Sequence, residues 1–461
     1  MIYRDKRNLR IDLLIIILVF NLTFIHIPLI NGSESEDAKW EIITDNGFGN
    51  KYNGCIRAAG IYKEELYVGT QSCNLLKTIT ANKYIELIRL IKGNGNLGNI
   101  IPFFNSQKSH GCELWKYNYT TKNLKQVIGN LPEADIDAGF GDILNFNIGF
   151  SIEFKNNFYV GTRTSPLKGC EIWRYNGKKW EKIVEKGFGD KSNVAAWCSE
   201  IFKEYLYVGT VNFNNSNTGF CQIWRTFNGT SWEKVADRGF RDVDKNTTHN
   251  IYAWSMKVYN NSLYVGTNNQ QKILGHNGCQ MYKTSDGTNW TKVEFPGGDG
   301  FGEQNNNGIS SIEVYNGWLY VGTAALSHDH GFEIWKYNGE AWIPVIGDDV
   351  LGVKKWEFWD SRNDGFGDKN NFYAYCMLNR SEKLWVGTVN TKGCELYCYD
   401  NSNWQEIVGN SKECEKPKGF DSDVKGFRTM IEYPVGSQNI VFGTLKSTNN
   451  DDSCHMWIRK V

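Results

Sequence analysis

LYVGT occurs at residues 66–70, 206–210, 263–267 and 319–323, joined by FYVGT at 158–162, LWVGT at 384–388 and IVFGT at 440–444. The glycines of these strings are Gly69, Gly161, Gly209, Gly266, Gly322, Gly387 and Gly443, spaced by 92, 48, 57, 56, 65 and 56 residues. A period in the fifties with one long insertion marks a repeat protein whose units bury their faces against one another. Each copy is followed by a second repeated segment: GCELWKY at 111, GCEIWRY at 169, FCQIWRT at 220, GCQMYKT at 278, GFEIWKY at 331, GCELYCY at 393 and SCHMWIR at 453. A turn then leads into a third, such as WEKIV at 180, WEKVA at 232 or WQEIV at 404. A fourth precedes each LYVGT, for example AAWCSEIF at 195 and YAWSMKVY at 252. Alternation of apolar and polar positions predicts half-buried strands.

Four antiparallel strands per repeat, A to D, make the blade of a β-propeller. The last repeat ends after its C strand, and WEIIT at 40–44 has the D pattern with no A, B or C before it. Pairing these two would close the ring and leave no open edge. The expected fold is therefore all-β, a seven-bladed propeller over residues 36–461, closed by the N-terminal D strand, with about 72–110 an insertion in the first blade. Composition agrees: 47 Gly, 14% aromatics and only 8 Pro suit short strands and tight turns. Disorder, collagen, coiled coil and multispan membrane protein are excluded. Lys plus Arg and Asp plus Glu are both 51, so the sequence offers no basic footprint for nucleic acid.

Some C-to-D turns, clearest in SDGTNW at 285–290, place a Gly three residues before a Trp. They resemble degenerate Asp-box repeats of sialidase-like propellers, although an Asp box has one more residue between Asp and Trp. Asn176, Asn228 and Asn338 stand where Asp286 does, so these turns are expected to be Asx-type hairpin turns without a catalytic role. In pattern the chain is also similar to uncharacterised exported prokaryotic propeller proteins, a resemblance that implies no particular activity.

A further repeat follows each D strand: GFGN at 47, GFGD at 139 and 187, GFRD at 239, GFGE at 300, GFGD at 365 and GFDS at 419. Its acids and following asparagines would suit calcium. A feature repeated in every blade belongs rather to the scaffold, with Phe filling the gap between blades and the acid capping backbone amides. Function is expected where the repeats differ.

Of 12 cysteines, Cys112, Cys170, Cys221, Cys279, Cys394 and Cys454 share one C-strand position, where the fifth blade has Phe332. Equivalent positions on different blades are too far apart to bridge, so these read as small buried residues. The candidate disulfides are Cys55 with Cys73 and Cys398 with Cys414. No C-x-x-C motif supports thiol redox chemistry or a zinc ribbon.

Trp197, Tyr252, Trp254, Tyr373 and Tyr375 begin A strands near the expected channel, beside Asn193, Asn250 and Asn371. Aromatic faces with amides suit carbohydrate or another neutral polar ligand, and equally suit packing between blades. WEFWD adds Trp356 and Trp359 in a loop on the same face, where they would stack on sugar or pack against the neighbouring loop. His328 and His330, with His276 from the adjacent blade, could hold zinc; solvated loop histidines are commoner. Neither metal is an expected cofactor. Arg57, Arg163, Arg362 and Arg428 lie near channel-facing segments and leave open a glycosidase-like or metal-dependent enzyme. Glu113, Glu171, Glu333 and Glu395 repeat too regularly to be catalytic, and no nucleophile elbow, phosphate loop or zincin helix is present. A binding, adhesion or interaction module for a glycan, cell-surface polymer or protein partner is the leading reading.

Residues 1–35 complete the expectation. Arg4, Lys6, Arg7 and Arg10 precede the apolar run at 11–30, which reads as a signal peptide or an uncleaved anchor. Either places the rest outside the cytoplasm, secreted or held at the cell surface, with membrane contact only through this segment. Eight N-x-S/T sites beyond the apolar run are compatible with glycosylation.

Overall fold

The computed structural model describes residues 39–72, 110–164, 168–213, 219–241, 250–269, 278–325, 330–347, 364–421, 424–446 and 453–460. Residues 40–461 form one compact unit. Among the described residues there are strands and short 3-10 turns, and no α-helix. The expected leader lies outside them, as does the insertion between Ser72 and His110.

The strands pair in sequential antiparallel sets of four. The first is Asn53–Tyr62, Glu65–Ser72, Leu114–Asn118 and Asn123–Ile128. The innermost strands of the following sets are Asn147–Phe154, Asn193–Phe202, Asn250–Tyr259, Asn306–Tyr315, Asn371–Arg380 and Val424–Glu432. The last set takes its outer strand from the other end of the chain, Trp40–Thr44 pairing with Met456–Arg459 as the sequence predicts. The end of each B strand bridges to the next A strand: Gln71 to Asn147, Arg163 to Ala195, Val211 to Tyr252, Asn268 to Gly308, Ala324 to Tyr373, Val389 to Gly426 and Leu445 to Cys55. These bridges close the ring, so the fold is an all-β propeller with its A strands around the axis.

Burial explains the patterns that were legible. The strand Tyr205–Asn212 is buried at every position but the first, because neighbouring sets cover both its faces. The outer strand Trp180–Val184 is mostly half-exposed, with only Val184 buried. The repeated Gly of the B strand permits close approach: a Cβ on Gly69 would lie 2.6 Å from the Ile148 Cβ of the next set, and one on Gly266 the same distance from Ile309.

Junctions between sets are built from the GF motif. Gly187 N donates to the Cys170 carbonyl at 2.9 Å, and Cys170 N donates to the Asn193 carbonyl at 2.7 Å. The loop thus ties the C strand of one set to the A strand of the next, and the same two bonds recur at each junction from Gly47 to Gly419. Both residues of the motif are left-handed, with Gly187 at φ 62° and Phe188 also at φ 62°. Positive φ costs a Phe of order 1 kcal/mol or more. Stacking offsets it: Phe188 lies on Trp224 with ring centroids 4.6 Å apart, and Phe48 on Trp115, Phe140 on Trp173, Phe240 on Tyr282, Phe301 on Trp335, Phe366 on Tyr397 and Phe420 on Trp457 do the same. The expected role of Phe as a plug between blades is what the structure shows.

A buried bracket centred on an asparagine completes six of the junctions. Asn145 Nδ2 donates to the Gly139 carbonyl and to Glu171 Oε2, both at 2.8 Å, while its Oδ1 accepts from Thr162 Oγ1. Glu171 N donates to Thr162 Oγ1, and Trp173 Nε1 donates to Glu171. Asn53, Asn193, Asn250, Asn306 and Asn371 repeat the bond to the loop carbonyl. Gln222 and Gln280 replace the glutamate in two sets, and in the seventh Val424 and His455 stand at the Asn and Glu positions. Lys168 and Lys182 lie 3.0 and 2.8 Å from Glu171, and Lys418 lies 2.5 Å from Glu395. No cation reaches Glu333 among the described residues, and burial pushes its carboxyl up to about 8.

Ring closure and the protonated Glu333 can each be probed. Trp40 is buried, meets Phe420 edge-on and Phe442 at a tilt, and donates to Glu415 at 2.8 Å, and Arg459 grips the same carboxylate. Trp40→Ala should therefore cost about 3–5 kcal/mol in denaturant unfolding; a loss below about 1 kcal/mol would show that this strand does not hold the ring closed. Glu333 is neutral when folded and ionised when unfolded between its ordinary 4.5 and about 8, so its contribution to stability is lost as pH rises through that window. Glu333→Gln, which gives this bracket the amide that Gln222 and Gln280 supply in two others, should remove this part of the pH dependence; identical stability profiles from pH 5 to 8 for both proteins would refute it.

Candidate functional site

At the position where the A strands bulge, the repeats diverge to Arg57, Gly149, Trp197, Trp254, Ser310, Tyr375 and Arg428. Tyr252 and Tyr373 stand two residues before Trp254 and Tyr375. These side chains meet at the axis: ring centroids are 5.4 Å apart for Trp197 and Tyr252, 5.6 Å for Tyr252 and Trp254, 5.7 Å for Trp254 and Tyr373, and 6.2 Å for Tyr373 and Tyr375. Phe213 joins Tyr252 at 5.8 Å. Trp197, Tyr252, Trp254 and Tyr375 are buried in this cluster, and Tyr373 is half-buried. Gly308 leaves room for it, since a Cβ there would sit 2.6 Å from the Trp254 ring.

Three arginines edge the aromatics. The Arg57 guanidinium carbon lies 3.6 Å from the centre of the Trp197 ring and that of Arg163 5.3 Å from it. Arg57 Nη1 also donates to the carbonyls of Gly149 and Trp197. Arg428 lies 4.2 Å from the Tyr375 ring centre. Three residues further along the A strands sits a separate charged group, Glu200, Lys257 and Glu313, with Lys257 Nζ 2.7 Å from Glu313. Burial raises the Glu200 carboxyl, and Lys257 partly offsets it.

The asparagines expected to flank the ligand do not. Asn193, Asn250 and Asn371 are fully buried and spend their amides in the junction brackets, because one residue at the strand start must satisfy the loop carbonyl. Three other amides, Asn268, Asn307 and Asn147, are buried on the B and A strands, and each has at least one side-chain atom without a hydrogen-bond partner among the described residues, as have the Nε1 groups of Trp197 and Trp254. Sequence reasoning passed over these amides in an Asn-rich chain; their departure from the repeat was the available signal.

The acids of the GFGD motif cap amides. Asp190 accepts from Ser192 N and Asn212, and Asp368 from Asn370 N, Asn390 and Lys418 at 2.6 Å. The hairpin turns are Asx turns: Asp286 accepts from Thr288 N and Asn289 N, both at 2.8 Å, and Asn228 from Thr230 N and Ser231 N. Of the histidines singled out, His330 is half-buried before the strand Ile334–Tyr337, while His276 and His328 lie outside the described residues. Trp356, Trp359, Arg362 and Cys73 lie outside them too, so the pairing of Cys55 with Cys73 has one end there. The shared C-strand cysteines are buried in separate cores, as expected.

The expected bridge between Cys398 and Cys414 is not formed. The strand Trp404–Gly409 runs between them: Cys398 faces Gln405 across the ladder, and Cys414 Sγ sits 3.7 Å from the Glu406 carbonyl on the other side. Two strand spacings, about 9–10 Å, exceed the reach of a disulfide. Denaturing alkylation without reductant should label both thiols; a Cys398 to Cys414 cross-linked peptide would contradict the structure.

Strand order, ring closure and a non-repeating mouth of aromatics and arginines together define a β-propeller whose distinctive chemistry is gathered at one end of its axis. No protein-family model and no curated protein matches the chain. Among solved structures it is similar to the GH74 xyloglucanase of Xanthomonas campestris, at 13% identity and TM-score 0.48 over 91% of this chain and 53% of that one. It thus spans about half the length of that enzyme. It is also similar to the β-propeller domain of the Trilobed protease of Pyrococcus furiosus, at 9% identity and TM-score 0.41 over 89% and 96% of the two chains. The SapL1 lectin, solved with α-methyl fucoside, is similar at 12% identity and TM-score 0.38 over 77% and 95%.

Proposed function

We propose that the chain is an exported seven-bladed propeller that works as a ligand-binding or adhesion module, taking a glycan or cell-surface polymer at the face where the A strands begin. The observation that carries this reading is the aromatic cluster of Trp197, Tyr252, Trp254, Tyr373 and Tyr375, which lies where the repeats depart from one another. A scaffold feature would recur in every set. Tyrosine and tryptophan offer flat apolar faces with a polar edge, which suits the alternating CH and OH groups of sugar rings. Export rests on the basic flank and apolar run of residues 4–30. Binding is favoured over hydrolysis by the repeated carboxylates, since those of Glu113, Glu171, Glu333 and Glu395 are committed to scaffold hydrogen bonds at the junctions.

The test is an array of glycans and cell-envelope polymers probed with and without EDTA, followed by titration of any hit. Tyr373→Ala removes the half-buried ring of the cluster and should weaken binding about tenfold, about 1.4 kcal/mol, with the thermal transition retained. Silence across the array, or an unchanged affinity in the variant, would count against the reading.

A further inference from the structure

The described residues include seven arginines that are buried or half-buried, and they divide into two groups. Arg174, Arg225, Arg380 and Arg459 each meet a carboxylate: Glu181, Glu233, Glu432 and Glu415 respectively. Arg57, Arg163 and Arg428 meet none among the described residues; their contacts are aromatic faces and, for Arg57, two backbone carbonyls. These three are the ones at the mouth of the ring. Arg57 and Arg163 both approach the Trp197 indole, so two like charges are held against one ring. The Nε of Arg57 and of Arg428 is buried without an acceptor among the described residues, as is that of Arg174 and Arg380, so the missing carboxylate is what sets the mouth arginines apart.

Such an arrangement costs stability. A ring face removes water from one side of a guanidinium and returns only part of the lost solvation. Unpaired charge and like-charge repulsion add to that cost; the junction brackets are complete without these arginines, and among the described residues only Arg57 also ties sets together, through its bonds to the Gly149 and Trp197 carbonyls. Among the described residues around the same mouth, Asn268 leaves both side-chain polar atoms unpartnered, and Asn307 Oδ1, Asn147 Oδ1, Trp197 Nε1 and Trp254 Nε1 are also unmatched; the indole N–H is unmatched in Trp180, Trp232 and Trp457 as well, so the amides are the sharper signal. Buried donors and acceptors without partners are rare and call for an explanation. A ligand bearing an anionic group together with hydroxyls would answer both deficits at once.

We infer that the mouth of the ring takes an acidic saccharide, its carboxylate gripped by Arg57, Arg163 and Arg428, its hydroxyls by the unmatched amides and indole N–H groups, and its ring faces by Tyr373 and Tyr375. This deepens the glycan-binding reading and rests on it. A guanidinium presents a planar fork that matches a carboxylate in two parallel hydrogen bonds. The carboxylates of the A strands do not compete: Glu313 is held by Lys257, and Glu200 belongs to the same group three residues further on.

The experiment titrates the full chain, by tryptophan fluorescence and calorimetry, with oligosaccharides of glucuronic and galacturonic acid, with the neutral oligosaccharides of glucose and galactose, and with inorganic phosphate and sulfate. An acidic oligosaccharide should bind at least tenfold more tightly than its neutral counterpart, with affinity falling as salt rises. Arg428→Gln and Arg57→Gln should each lower that affinity at least tenfold and erase the preference for acid, while Arg428→Lys keeps part of it. Arg380→Gln, which breaks an ion pair away from the mouth, should leave binding unchanged and controls for general destabilisation. Equal binding of neutral and acidic sugars would overturn this inference while leaving the glycan-binding reading intact. Phosphate or sulfate binding as tightly as the acidic sugars would overturn the saccharide assignment in favour of a bare anion site, and no binding of any sugar would overturn both readings.

Discussion

A buried asparagine at the start of the innermost strand, bonded at once to the loop before it and to a glutamate or glutamine on the C strand, sets the geometry on which the ring depends. Asn53, Asn145, Asn193, Asn250, Asn306 and Asn371 each donate to the carbonyl of the GF glycine, and so fix where one set of strands ends and the next begins. The amides are fully buried, so losing either partner would leave a polar group without water or protein to satisfy it, about 1–3 kcal/mol at each junction. The left-handed Phe is a consequence. Its backbone strain persists because stacking on the C-strand aromatic and the glycine-to-cysteine bond hold it from both sides.

The bracket also explains the chain's chemistry by subtraction. The N–H and C=O of the shared C-strand position are taken by two neighbouring segments whether it holds Cys or, in the fifth set, Phe332, and burial raises the thiols of Cys112 and Cys170 far above their ordinary range, which makes them inert. The repeated glutamates are held as acceptors, by lysine where one is near and by protonation at Glu333. With those groups committed, the side chains not taken up by the scaffold are the ones that differ from set to set. They gather at the bulged position of the A strands, where a strand irregularity re-aims side chains toward the axis.

Strand sets, their order and the closure by Trp40–Thr44 were legible because each is a local pattern repeated many times: apolar alternation, a Gly-Thr after three apolar residues, and a turn residue before the D strand. Repetition averages out the ambiguity of any one segment. The aromatic candidates were legible for the opposite reason, as departures from the repeat. The asparagine assignment went wrong because position along a strand does not tell which side of the junction an amide serves. The Cys398 to Cys414 pairing went wrong because proximity in sequence ignored the strand that runs between them.

The sequence by itself determined the kind of unit, the order of its strands and the swap that joins the two ends, since these depend on periodicity and on hydrogen-bonding edges that must be covered. Tertiary structure alone decided which residues of distant repeats face one another across the axis. Arg57, Arg163 and Trp197 come from three different sets and meet only because the ring closes. Whether an arginine finds a carboxylate or an aromatic face depends on that closure, and no spacing along the chain encodes it.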